Sequence, residues 1–288
     1  MNIFSIFNLV LVHPIINALV LIYHLLVSLH VPYALGFSII LLTVIIRAIL
    51  YPLIHSQLKT SKKMQEITPH LNKLKEQHKN DAAKLQSETM RLYKEHGVNP
   101  LSGCLPLLIQ LPLIWGLYGV LQQVVKTDPK AVLAYVNSAL YSPSLKLTHM
   151  WDTSFFGLSL GQTPSHLLSS VGFLILLIPA ATGIFQLIQS KMMFAVQEDK
   201  MKDVEKDAVK TKNKALVKEV KKEDDFATAF QNQSLYIFPL MIAFFSWTLP
   251  VGLSLYWNTF TIFGILQQYQ ISGLGGLESW IKKINPNR

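Results

Sequence analysis

The chain has 288 residues, half of them apolar and only 15% charged, with a formal net charge of +9. Its charges fall in blocks between long apolar runs, the pattern of a polytopic membrane protein rather than a soluble globule. A single cysteine, Cys104, excludes an internal disulfide and makes no metal site alone. The positive balance suits an anionic cytoplasmic membrane face, or ribosomal RNA at that face, and calls for no DNA.

Residues 1–33 are apolar, and no Lys or Arg precedes Arg47. That lacks the positive n-region of a secretory signal and the arginines of a transit peptide. Within residues 4–30 the run is broken by His13, Pro14, Asn17, His24, Ser28 and His30. Two readings compete, an extra crossing or a helix lying in the outer interface. Asn17, His24 and Ser28, spaced seven and four apart, fall near one face and favour the interfacial helix.

Residues 34–54 are predicted as the first crossing, with Arg47 set among Ile, Leu and Val. An arginine in hydrocarbon costs about 2.5–3.5 kcal/mol on insertion scales, so it usually faces water or a partner. One reading is a structural cation satisfied by a neighbouring helix; the other is a water-filled recess centred on Arg47. Thr43, four residues earlier, shares its helix face. Residues 55–100 are predicted as a helical hairpin, with Met64, Ile67, Leu71 and Leu74 on one stripe and a turn at Asn80-Asp81.

The second crossing, residues 101–125, carries Pro106, Pro112 and Gln110. Prolines free backbone carbonyls, which a membrane tolerates where protein or water satisfies them. Residues 126–166 are a loop whose apolar patch, Ala131–Tyr141, is expected to lie on the bilayer surface. Residues 167–190 form the third crossing, with Gln186 and Gln189 near its end. Residues 191–233 are a mixed-charge tract, read as a solvated helix or partly disordered. Residues 234–249 and 250–270 are the fourth and fifth crossings, separated by the corner at Pro250 and Gly252, and 271–288 is a short basic tail. The fourth crossing is short enough to call for a thinned bilayer.

Lys and Arg number nine in 55–100, ten in 191–233 and three in 126–166. Positive residues stay in the cytoplasm, so five crossings with the N-terminus outside and the C-terminus inside place both rich loops there.

Catalytic motifs are scarce. HExxH, GxxxxGK and CxxC do not occur, and the nine histidines lack ligand spacing, so neither an enzyme nor a metal or other cofactor is expected. Gly157-Leu158-Ser159-Leu160-Gly161 matches the GxSxG of a serine nucleophile, but in a loop of a helical membrane protein chance explains it better. Thr43, Arg47, Gln110, Gln186, Gln189, Asn258 and Thr261 form a coherent polar set inside the spans. None of the spans holds an Asp or Glu, unlike the paired charges of a transporter or pump.

Three blocks carry a resemblance. They are Gly36…Thr43…Arg47…Tyr51-Pro52; Asn99-Pro100-Leu101-Ser102-Gly103-Cys104-Leu105-Pro106-Leu107-Leu108-Ile109-Gln110-Leu111-Pro112; and Phe238-Pro239 with Leu249-Pro250-Val251-Gly252-Leu253-Ser254-Leu255-Tyr256-Trp257, then Gln267-Gln268. In these the chain resembles the YidC/Oxa/Alb membrane protein insertases, most closely the short bacterial form. The resemblance implies an all-α protein with a five-helix transmembrane core, an outer interfacial helix and a cytoplasmic helical hairpin, in a bacterial cell membrane. It implies a groove open to the cytoplasm, with Arg47 at its centre and Thr43, Gln110, Gln189, Tyr256, Trp257 and Asn258 as groove or wall positions. The implied partners are nascent membrane proteins, the ribosome, the Sec translocon and membrane lipids. The family's usual Asn falls here on Thr261, while Asn258 directly follows Trp257, so that role has no firm assignment. A channel or transporter with a polar core is the alternative from another class.

Overall fold

The computed structural model describes residues 5–6, 8–78, 81–97, 114–119, 129–193, 235–278 and 281. These are mostly helical. A π-helical turn, Asn8–Val12, leads into α1 (His13–Ser28), followed by α2 (Ala34–Ile49), α3 (Tyr51–Gln77), α4 (Ala82–Glu95) and α5 (Pro129–Ala139). Strands β1 (Ser154–Phe155) and β2 (Leu158–Ser159) pair antiparallel. Then come α6 (Pro164–Val171), a 3-10 segment Gly172–Leu176, α7 (Leu177–Met193), α8 (Leu235–Thr248) and α9 (Val251–Ser272).

Two compact units divide the chain: Met1–Tyr51 with Cys104–Gln186 and Leu240–Phe263, and Pro52–Gly103 with Leu187–Pro239 and Gly264–Arg288. The first holds the hydrophobic core. Ile16, Leu19 and Val20 of α1 and Leu35, Ile39 and Leu42 of α2 recur at helical spacing and bury together with Val132 and Val136 of α5, Leu160, Val251, Leu253 and Tyr256.

The polar face of α1 has an unexpected use. Asn17 donates to the carbonyls of His13 and Ala139 and accepts from the Tyr141 N–H, while the His24 ring meets the Leu145 carbonyl at 3.2 Å. Leu21, Leu25 and Leu29 are the exposed residues instead. The face that carries Asn17 and His24 is therefore taken by the segment 139–145. The patch Ala131–Tyr141, expected on the bilayer surface, is a helix that turns Val132 and Val136 into the core.

One short hairpin gathers the starts of three helices. Phe156 and Gly157, with φ of 49° and 83°, form its tight turn, and positive φ at both central positions matches the right-handed twist of the strands. Phe155 lies on Gly36 in the first turn of α2, so closely that a Cβ there would collide with its ring. The Leu160 and Gln162 carbonyls accept from the Gly252 and Val251 N–H groups, each at 2.8 Å, satisfying donors that the first turn of α9 leaves open. From there the chain enters α6 at Pro164, with Thr163 as its cap.

Several boundaries differ from the sequence expectation. The run 34–54 is not one helix: α2 ends at Ile49 and α3 starts at Tyr51. Pro52 is the cause, because it has no N–H for the Ala48 carbonyl and favours the start of a new helix. α3 runs continuously through residue 55, the expected start of the hairpin. The helical run expected from 167 begins at Pro164, and it changes to a 3-10 segment at Gly172, whose φ is 74°. Among the described residues Asn8–Ser28 and Pro164–Met192 are long and apolar enough to cross a membrane. Ala34–Ile49 with Tyr51–Thr60 would be a third if that bent pair is one span, and Leu235–Thr248 is a shorter apolar helix.

In the second unit Asp81 caps α4 by accepting from the Lys84 N–H at 2.9 Å, and His96 at its far end lies 6.2 Å, ring to ring, from His70 of α3. Lys191 Nζ donates to the Tyr236 hydroxyl at 3.3 Å, and Gly275 sits against the Met192 carbonyl where no side chain would fit.

Candidate functional site

Arg47 lies in the last turn of α2, where the open carbonyl ends of the helix favour a cation. Its residue exposure is 4%. Nη2 donates to the Phe260 carbonyl at 2.7 Å, and the guanidinium carbon stands 3.4 Å from the Phe260 ring centroid. Phe260 in turn packs on Tyr256, one helical turn back, with ring centroids 5.9 Å apart. A planar, weakly hydrated cation on an aromatic face is a favourable arrangement once water is excluded.

The other sequence-predicted residues divide. Thr43 is buried, and its hydroxyl donates to the Ile39 carbonyl of its own helix at 2.6 Å. Tyr256 is buried in the core. Trp257 Nε1 donates to Gln186 Oε1 at 3.1 Å; Gln189, three residues on, is half-buried. Asn258 Oδ1 and Thr261 Oγ1 are buried with no hydrogen-bond partner among the described residues. Pro250 accepts from the Leu253 N–H at 2.8 Å at the head of α9, and Gly252 donates to Leu160 as described. Gln110, Pro106 and Pro112 lie outside the described residues.

Sequence reasoning missed a hydroxyl ladder. Thr182 of α7, Ser246 of α8 and Ser254 of α9 are all buried, with Thr182 Oγ1 3.1 Å from Ser246 Oγ and Ser246 Oγ 2.8 Å from Ser254 Oγ. Thr182 and Gln186 are four residues apart on one face of α7, so the ladder and the Trp257 bond tie α9 to α7 along one seam. Phe260 was missed as well, although it follows Tyr256 by one turn on the same face. The serine of the GxSxG match, Ser159, sits in β2 of the tight hairpin, not on a strand-to-helix turn. Among the described residues no group of three or more His, Cys, Asp or Glu could hold a metal.

Residues 26–274 match the family model described as 60Kd inner membrane protein. The chain belongs to this family, the YidC/Oxa/Alb family. It is 31% identical over 241 residues to "Membrane protein insertase YidC" of Fusobacterium nucleatum, covering 83% of this chain and 87% of that one. It is 30% identical over 242 residues to "Membrane protein insertase MisCA" of Bacillus subtilis, covering 83% and 70%. It is 32% identical over 257 residues to "Inner membrane protein ALBINO3, chloroplastic" of Arabidopsis thaliana, covering 86% of this chain and 49% of that longer protein. Within the family, then, this chain spans most of the compact bacterial relatives and about half of the chloroplast ones.

Proposed function

We propose that the protein inserts nascent membrane proteins into a bacterial cell membrane, without catalysis and without a cofactor. The names of its bacterial relatives support the activity. The observation that carries the mechanism is Arg47, a cation buried inside a family member's helical unit and resting on Phe260. A polar or acidic tail of the substrate enters a groove from the cytoplasm, and its carboxylate draws the guanidinium off the ring. Charge-assisted pairs are the stronger kind, so a carboxylate can compete with an aromatic face. Thr43, Gln110, Gln189, Tyr256, Trp257 and Asn258 line or wall that groove, and Gln186 positions Trp257. The apolar segment of the substrate then slides into lipid, and its transfer from water drives release.

The proposed topology has five crossings, 34–54, 101–125, 167–190, 234–249 and 250–270. Residues 1–33 lie against the outer leaflet, while 55–100, 191–233 and 271–288 are cytoplasmic. The Lys and Arg counts support it. So does the hairpin at 154–159, where the first, third and fifth crossings all start, as odd-numbered crossings entering from outside must. The 14 residues of α8 measure about 21 Å against a hydrocarbon core of about 30 Å, which supports a thinned membrane beside the site.

Ribosomes, the Sec translocon and lipids are the proposed partners besides the substrate. The test is reconstitution of purified protein into liposomes with a single-span, acidic-tailed substrate, with and without translocon. Wild type inserts it by protease protection and Arg47→Ala does not. Equal insertion by both would remove the electrostatic step, and ion flux without insertion would replace the reading with a channel.

A further inference from the structure

We propose that Tyr33, Phe37, Phe155 and Phe156 form an aromatic anchor that seats in the headgroup–acyl boundary of the outer leaflet and sets the depth of Arg47. The four rings form one cluster. Phe155 meets Tyr33, Phe37 and Phe156 at centroid distances of 6.0, 5.5 and 4.9 Å, and Phe156 meets Tyr33 at 4.9 Å. Phe155 is the inner member, pressed on Gly36. Phe156 is the outer one, 67% exposed at the tip of the hairpin.

The tip is an uncommon place for phenylalanine. A two-residue turn with both φ values positive favours Asn, Asp or Gly, because a bulky side chain is disfavoured in that region. Tyr33, also left-handed at φ 56°, repeats the exception at the start of α2. A water-facing turn would gain nothing from either ring. Tyr33 suits a membrane–water boundary, where the amphipathic rings of Trp and Tyr concentrate, and the phenylalanines beside it suit the apolar side of that boundary, as Phe does on interfacial helices.

What covers the cluster is read from α2. Below Phe37, at successive steps of four residues, Leu41, Ile45 and Ile49 are all exposed, so the cluster is the upper end of an apolar stripe running the length of the helix. A partner that meets a whole helix and its end cap together is the bilayer. From Gly36 to Arg47 is eleven residues, about 16 Å of rise, or about half of a 30 Å hydrocarbon core. With the rings held at the boundary, the guanidinium is held near mid-depth.

The proposal takes from the proposed function only which leaflet is meant. Its test measures depth rather than insertion, so each can fail without the other. Full-length protein with Cys104→Ser and Phe156→Cys is labelled with an environment-sensitive dye in phosphatidylethanolamine–phosphatidylglycerol vesicles. Lipids spin-labelled high on the acyl chain should quench it more than lipids labelled near the methyl end, with blue-shifted emission. Water-like emission quenched by iodide overturns the anchor. Quenching that ignores the lipid label but follows protein concentration makes the patch a protein contact instead and also overturns it. In a second series the dye is placed at Ile45→Cys. Its depth profile should shift when Phe156→Ser is added and return with Phe156→Trp; an unchanged profile overturns the depth-setting role.

Discussion

Phe260 holds Arg47 from two directions at once, with its backbone carbonyl 2.7 Å from Nη2 and its ring face 3.4 Å from the guanidinium carbon. The carbonyl contact depends on the fold of α9 and survives any side-chain change, whereas the ring contact does not. Phe260→Leu therefore removes the aromatic half alone. A cation–π contact away from water is worth about 0.5–2 kcal/mol, so acidic-tail cross-linking to the site should rise by about twofold to thirtyfold. A fall in cross-linking would show that the ring presents the cation to substrate rather than withholding it.

Arg47→Ala should impair insertion of acidic-tailed substrates while leaving neutral-tailed ones near wild type. Arg47→Lys keeps the charge and should keep most of the activity, although it loses the planar fork that lies flat on a ring. Protease protection of matched substrates differing only in tail charge reads both effects.

The Trp257–Gln186 bond joins α9 to α7 at 3.1 Å. Trp257→Phe and Gln186→Leu should each lower thermal stability in detergent. The double variant should lose less than the sum, with a coupling of about 0.6–1.5 kcal/mol. Strict additivity would mean that the bond carries no net stability.

Gly36→Val places methyl groups where the Phe155 ring lies. It should cost about 1–3 kcal/mol, the usual range for overpacking a filled site. Phe155→Ala in the same chain should recover part of that loss, as a thermal melt can measure.

Asp81 caps α4 through the Lys84 N–H. Asp81→Ala should cost about 1 kcal/mol of local stability, and Asp81→Asn very little. Hydrogen exchange at the first turn of α4 should show faster exchange for Ala alone.

Much of this molecule was legible in its residues, for nameable reasons. Apolar runs of helical period located most of the described helices, and Asp81 marked the start of the helix that it caps. What escaped was pairing across helices. Asn17 and His24 were read as sharing one face of an interfacial helix, and sequence spacing says which residues align, not what packs on them. Thr182, Ser246 and Ser254 are small hydroxyl residues scattered through apolar runs, and nothing local marks them as one ladder. The helix break at Leu50 was readable in principle from Pro52, but the apolar run continuing to Ile54 concealed it. Arg47 stood out because a cation among aliphatics is rare; Phe260 did not, because a phenylalanine there is ordinary.

The hairpin at residues 154–159 also implies an order of assembly. Its acceptors at Leu160 and Gln162 leave the ribosome long before Val251 and Gly252, and they wait for a helix not yet made. α9 is made after the segment that accepts its first N–H groups, and it carries the Phe260 that holds Arg47. A chain cut short before Val251 would therefore leave Arg47 without both the carbonyl and the ring that hold it.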